Sequence, residues 1–371
     1  MTDSPDTGLR TSPLHERHIA LGAKTAAFGG WEMPMQYAGG GVLEEHAAVR
    51  DAVGVFDVSH LGNVRVRGAG AAAYVDSCLT NALDRIGPGQ AQYSLACDAD
   101  TGGVVDDMIV YLIDDADLVL IPNAVNSEDV ADRLRADAPN EVEVVDRHQA
   151  VLAVQGPRSD ELLGALGLPV GHPYMSFESG TLDDVPLVVC RSGYTGERGY
   201  EVVTPAETAG EVWDAVLGTG ELLGVRPCGL GARDTLRTEM GYPLHGQDLG
   251  PDITPVQARL GWAVGWDKPA FWGRDVLVAE RAEGAHRLLR GLTAGGRGIP
   301  RPGMRVQGAD GGDGPIGTVT SGTFSPTLRT GIGLALLDRS VSDGDEVQVD
   351  VRGRTEPFTV TKPPFVETQI R

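Results

Sequence analysis

The chain has 371 residues, 41% of them hydrophobic, which is enough for two or three packed domains. Its formal net charge is −21, with 52 acidic side chains against 31 Lys and Arg, so a general role in binding nucleic acid is not expected: phosphates need clustered cations. No apolar run reaches the roughly 18 residues of a membrane helix, and residues 1–6 lack the basic and apolar regions of a secretory signal, reading instead as a disordered leader.

No association with membranes is therefore expected. Three lysines occur (Lys24, Lys268, Lys362), so nearly all positive charge is Arg, whose planar fork suits carboxylates. Cys78, Cys97, Cys190 and Cys228 form no CxxC pair and read as free buried thiols of a reducing cytoplasm. His15 and His18 make a lone HxxH with no companion ligands, so no metal site is expected.

In chain order, residues 11–41 are turn-rich and aromatic, and the alternation of Trp31, Met33, Met35 and Tyr37 predicts an extended segment with one apolar face. That face is core or the wall of a ligand pocket. Residues 42–52 predict a helix with Glu44 and Glu45 at its start and Arg50 at its end, as the helix dipole favours. Strands are predicted at 54–60, 63–67 and 92–96, with helices at 69–79 and 127–136.

Residues 102–111 read Gly-Gly-Val-Val-Asp-Asp-Met-Ile-Val-Tyr. The apolar run 108–112, continued at 118–121, predicts a hairpin whose preceding turn carries Asp106 and Asp107 to the mouth of a strand. A carboxylate beside apolar neighbours costs free energy unless it is partnered, which makes a working acid or base one reading. On this stretch alone a solvated loop end is the simpler one. With 142–145 closing it, residues 59–149 predict a compact α+β unit.

A second α+β stretch has strands at 151–155, 185–191 and 200–203, and helices at 159–166 and 206–217. Another helix follows Gly229-Leu230-Gly231 and carries Arg233, Asp234, Arg237 and Glu239, with the two arginines on one face. The GxG there is not a dinucleotide fingerprint, because position 234 is Asp and no clean βαβ unit surrounds it. Residues 274–283 predict a connecting helix. From about Arg287, Gly, Pro, Val and Thr dominate, and short strands at 317–320, 331–336 and 346–351 predict a small barrel or sandwich.

Several motifs together resemble one family. They are Phe28-Gly29-Gly30-Trp31-Glu32-Met33-Pro34, Val42-Leu43-Glu44-Glu45-His46, Gly54-Val55-Phe56-Asp57-Val58-Ser59-His60 and the 102–110 stretch. Further along come Gly193-Tyr194-Thr195-Gly196-Glu197, Gly229-Leu230-Gly231-Ala232-Arg233-Asp234 and Lys362-Pro363-Pro364-Phe365-Val366. They run in one order from Leu14 almost to the end, and look like aminomethyltransferase, the T-protein of the glycine cleavage system. The resemblance implies an α+β, three-domain cloverleaf around a central folate channel. Its parts would be a discontinuous first α+β domain (1–58 and 150–270), a second α+β domain (59–149) and a C-terminal β-barrel (285–371).

The implied reaction moves the one-carbon unit from the aminomethyl-dihydrolipoyl arm of lipoylated H-protein to tetrahydrofolate, the co-substrate. It gives 5,10-methylenetetrahydrofolate, ammonia and dihydrolipoyl H-protein, with no metal. P-protein and L-protein, the other components of the system, are implied partners, in the cytoplasm. By the same resemblance Asp107 is the catalytic acid–base, with Asp106 its neighbour, and Glu201 meets the pterin, with Glu197 in the same loop as second choice. Arg233 is the cationic contact, Asn123 a polar contact near the reacting end, and Tyr194 lines the channel, walled by Tyr93, Met33, Tyr242 and Trp262. The end 367–371 departs from relatives that carry tyrosines there. Arg233, Arg237, Arg259 and Arg274 are candidates for a basic patch where the carrier docks. A related folate-dependent demethylase and a non-enzymatic folate-binding regulator are the alternative functions. The regulator would keep Glu201 and Arg233 without needing Asp107.

Overall fold

The computed structural model describes residues 8–309 and 314–368. The leader expected at 1–6 and the last three residues of the divergent end lie outside them.

The first sheet has six strands in the spatial order Phe177–Leu182, Val185–Cys190, Gly199–Pro205, Gln149–Gln155, Val53–Asp57 and Val225–Cys228. All neighbours are antiparallel except the last pair, which is parallel. Each apolar face needs a cover, and helices supply both. Ser159–Ala165 and Ala209–Gly220 bury Leu162, Leu163, Val212, Trp213 and Val216 against Leu152, Val154 and Val202. On the other face Gly41–Asp51 and Leu230–Met240 pack Val49, Ala232 and Leu236 on Phe56, Val151 and Ala153. Each fully buried Leu or Val of such a layer contributes about 1.5–3 kcal/mol.

The second sheet is antiparallel, ordered Gln90–Cys97, Val104–Asp114, Asp117–Ile121, Val64–Gly68 and Val142–Asp146. Helices Ala71–Cys78 and Ser127–Ala136 cover one face, burying Val75, Val130 and Leu134 against Val66, Val110 and Leu120. Its chain segment is inserted between the strands Val53–Asp57 and Gln149–Gln155 of the six-stranded sheet, so the six-stranded unit is built from two separated pieces of sequence.

The third unit is a closed barrel of Arg287–Ala294, Thr330–Asp338, Pro315–Ser325, Arg305–Gly308, Glu346–Val351 and Arg354–Thr361. Leu292, Val306, Val319, Val349 and Phe358 fill its interior. A small N-terminal sheet of Arg10–Thr11, Trp31–Gln36 and Lys24–Phe28 completes the architecture.

Local pattern reading placed most elements but missed several. Helix His15–Ala20 and strands Lys24–Phe28, Phe177–Leu182, Val225–Cys228, Arg305–Gly308 and Arg354–Thr361 are present without having been predicted. These pieces are short or polar, and their pairing partners hold them rather than their own periodicity. The acid pair is also displaced from its expected place. The strand begins at Val104, so Asp106 and Asp107 lie inside it rather than in the turn before it. Gly102, at φ +70, makes that turn, and a Cβ on Gly103 would sit 1.8 Å from the Pro251 carbonyl oxygen. All four cysteines are free and buried.

Candidate active site

Adjacent residues of a strand point to opposite faces, so Asp106 and Asp107 cannot share a role. The Asp106 side chain is fully buried. Its Oδ2 accepts from the Asn123 backbone N–H at 2.9 Å, and its Oδ1 accepts from the amides of Asn123 and Asn126, both at 2.8 Å. Asp107 instead faces a cavity of about 650 Å³. The Tyr93 hydroxyl donates to its Oδ2 at 3.0 Å and the Asn123 amide to its Oδ1 at 3.0 Å. Burial and Asp107 keep the Tyr93 phenol protonated, so its role as donor is secure.

Burial raises both carboxyls above the ordinary aspartate range, since a charge in a poorly hydrated site is costly. For Asp106 burial leads and the Asp107 charge adds to it, while the three Asn donors oppose, leaving it at about 7. For Asp107 burial leads, and the hydrogen bonds from Tyr93 and Asn123 pull back. The pair titrates as a unit. Both carboxyls hold a proton more readily than an exposed aspartate does.

The rest of the cavity comes from several elements. Strand Gly199–Pro205 contributes Glu201, whose Oε2 accepts from the Ser192 hydroxyl at 2.5 Å. Helix Leu230–Met240 contributes Arg233, whose guanidinium lies 4.6 Å from the centroid of the Tyr194 ring. Tyr194 stacks on Tyr242 at 5.7 Å, and its hydroxyl donates to the Pro243 carbonyl. Asp234 and Asp248 are both taken by Arg237, so Arg233 has no hydrogen-bonded carboxylate among the described residues. Burial depresses its proton affinity, and Glu201 and Tyr194 favour its charge from a distance. A half-buried guanidinium with no carboxylate partner among the described residues suits an anionic or carbonyl-rich ligand.

The expected wall residues separate. Tyr93 stacks on Trp262 at 5.4 Å, and Trp262 is 62% exposed, so this pair forms the rim. Met33 is not a wall: it is 0% exposed and packs with Trp31 and Leu230, while Met35, two residues on, lines the cavity. Glu197 is held by Arg50 at 2.8 Å and does not line the cavity. The four arginines expected to form a docking patch do not gather as one. Arg237 is buried against Asp248, Arg259 faces Asp343 and Arg274 holds the Lys268 carbonyl; only Arg233 and Arg237 reach the cavity.

Several lining residues had no sequence-based expectation, His60, Ser192 and His245 among them. His60 sits in the 54–60 motif and edges onto Phe28 at 5.3 Å. Burial, helped by the Arg233 charge, pushes it down to about 4 against the pull of Asp57, so it is neutral. No local pattern could have marked His245, whose partners Asn126 and Val104 lie more than a hundred positions away.

The barrel stands behind this wall rather than in it. Thr320 and Ser321 donate to Asp248, and Ser325 donates to Glu239, tying the barrel to the helix and loop that carry the cavity residues. Among the described residues no barrel side chain lines the cavity, and no three His, Cys, Asp or Glu side chains gather to hold a metal ion. No helix there is long and apolar enough to cross a membrane.

Asp107, of raised proton affinity, and Arg233, with no carboxylate partner among the described residues, line one organic-sized, aromatic cavity, features that fit a group-transfer enzyme acting on organic substrates. Comparison with known proteins specifies the group. Residues 14–268 match the GCVT N-terminal domain, and residues 287–367 the glycine cleavage T-protein C-terminal barrel domain. An aminomethyltransferase of Parafrankia sp. is 64% identical, covering 98% of this chain and 99% of its own. That of Mycobacterium tuberculosis is 54% identical over the full length of both. The crystal structure of glycine cleavage system aminomethyltransferase T from Bartonella henselae superposes with a TM-score of 0.91 at 34% identity, covering 97% of this chain and 98% of that one. The chain belongs to the glycine cleavage T-protein family and is an aminomethyltransferase.

Proposed function

We propose that the cavity binds tetrahydrofolate with its reacting nitrogens at Asp107, and that the aminomethyl group arrives on the dihydrolipoyl arm of a lipoylated carrier, the H-protein. The observation that carries this reading is Asp107 itself. It is a carboxylate of raised proton affinity, aimed into the cavity and held from two sides by Tyr93 and Asn123.

Both folate nitrogens lose a proton as the methylene carbon joins them. One of these protons ends on the departing ammonia and the other on the carrier thiol, so the protons balance. Asp107 accepts a hydrogen bond from the attacking nitrogen, orients its lone pair and stabilises the positive charge that develops on it. Glu201, fixed by Ser192, accepts from the pterin amino and ring N–H groups. Arg233 donates to a carbonyl or carboxylate of the folate. The Tyr194–Tyr242 stack and the Tyr93–Trp262 rim supply flat walls for its rings. No metal takes part in this reading. P-protein and L-protein act in the same cycle, and the reaction takes place in the cytoplasm. The three lobes correspond to domains at 1–58 with 150–270, at 59–149 and at 285–371.

The test is tetrahydrofolate-dependent ammonia release from aminomethylated carrier. Asp107→Asn keeps the side chain's shape and removes the base, so turnover is expected to fall by about 10²–10⁴-fold with folate binding retained. A variant within threefold of wild type would refute the role. Folate binding by the wild type without ammonia release would mark a binding module instead.

A further inference from the structure

His245 and Asn126 lie on loops from different lobes, and their contacts fix the direction of every hydrogen bond between them. The His245 Nε2 sits 3.2 Å from the Val104 carbonyl, which can only accept, so Nε2 carries the proton and donates. The Asn126 Nδ2 lies 2.8 Å from Asp106 Oδ1 and 3.0 Å from His245 Nδ1. Asp106 Oδ1 accepts in this contact, so the Asn126 amide nitrogen faces it and gives one N–H to Asp106 and the other to Nδ1 of the ring. The Asp106 carboxylate in turn holds the Asn123 amide, which holds Asp107. His245, with Nε2 on the Val104 carbonyl and Nδ1 on the Asn126 amide, therefore stands at the far end of a chain of hydrogen bonds ending on the cavity carboxylate.

We propose that His245 and Asn126 are positioning residues for the transfer reaction: through Asp106 and Asn123 they hold Asp107 in its working orientation. The proposal rests on the role given to Asp107 above. The groups facing Asp106 leave little else to do this. Its own strand brings Asp107, a like charge, and the neighbouring strand brings the neutral Tyr93. The 242–249 loop brings His245, while the Arg237–Asp248 pair behind that loop satisfies itself. Asn123 and Asn126 supply all the donors Asp106 has among the described residues. Losing the Asn126 donor lets Asp106 take up a proton at higher pH. A protonated Asp106 then points an O–H at the Asn123 donors and loosens the amide that steers Asp107.

Four variants and a control test this. His245→Phe removes both ring contacts, and Asn126→Ala removes the middle link. Each is expected to lower kcat about three- to tenfold at neutral pH, leave the KM for tetrahydrofolate within about twofold, and move the acid limb of the pH–kcat profile up by about half a unit or more. His245→Gln can still accept from Asn126 and donate to Val104, and is expected to recover most of the lost kcat. The double variant His245→Phe with Asn126→Ala should be no worse than Asn126→Ala alone, since both cut one chain. Additive losses, a His245→Gln as impaired as His245→Phe, or a raised KM with unchanged kcat would each overturn the proposal. Asp107→Asn is assayed beside them. If it stays active, the role of Asp107 fails; if it is inactive while His245→Phe and Asn126→Ala keep the wild-type kcat and acid limb, the positioning chain alone fails.

Discussion

Glu239 is where the barrel is pinned to the rest of the molecule, and its replacement by Gln should loosen that attachment measurably. The side chain is fully buried near the end of helix Leu230–Met240, the helix that carries Arg233. Its Oε2 accepts from His46 at 2.9 Å and from the Arg50 Nη2 at 2.6 Å, both on helix Gly41–Asp51. Its Oε1 accepts from the Ser325 hydroxyl at 2.5 Å, at the end of a barrel strand. Burial alone would raise this carboxyl's proton affinity, but His46, Ser325 and Arg50 more than reverse it and hold it at about 2 against an ordinary 4.5.

A carboxyl whose folded value lies below its unfolded one adds stability that is fully present above about pH 4.5 and is lost as the pH falls toward 2. The difference corresponds to about 3 kcal/mol at pH 7, at about 1.4 kcal/mol per unit. Glu239→Gln cannot ionise and forfeits that contribution. With an unfolding entropy of about 2.1 cal/mol/K per residue, unfolding of the whole chain as one unit would shift Tm by about 4 °C. Calorimetry of both proteins at pH 7 and near pH 3 checks this: the variant should melt lower at pH 7, and the gap should shrink to less than about half at pH 3. A gap below about 0.5 kcal/mol at pH 7, or one that does not change with pH, would refute the reasoning.

Two further variants probe the cavity. Arg233→Met removes a half-buried cation that has no hydrogen-bonded carboxylate among the described residues, so the free enzyme should be at least as stable as wild type, while tetrahydrofolate binding by calorimetry weakens by about 1.5–3 kcal/mol, or about 10- to 150-fold; lost stability with unchanged binding would contradict this. Asp106→Asn removes the like charge beside Asp107, whose raised proton affinity means that activity falls as the pH drops through it. The acid limb of kcat/KM should therefore move down by about one unit, opposite in sign to the shift expected for Asn126→Ala; an unmoved limb would show that the two carboxyls do not interact.

Much of the site was legible because the relevant segments are local in sequence. The 102–111 stretch displays its two acids and its glycine turn, and the helix after Gly229 displays Arg233. What pattern reading misplaced was the start of one strand. Read from Val104, strand alternation alone would have sent Asp106 and Asp107 to opposite faces and separated their roles. Met33 and Met35 show the opposite limit. Both belong to one alternating apolar row, and only the packing of Trp31 and Leu230 against Met33 decides that Met35 reaches the cavity.

The sequence by itself determined the composition shift that marks the barrel, most of the helices and central strands, and the residues able to do the chemistry. Those follow from periodicity, turn residues and side-chain type, which act over a few positions. Tertiary structure alone decided that the six-stranded sheet closes across an inserted lobe, that Arg233 is left free because Arg237 takes both nearby acids, and that His245 meets Asn126. Each depends on segments far apart in the chain. Whether a buried charge is paired or left for a ligand is fixed only when those segments meet and water is excluded between them.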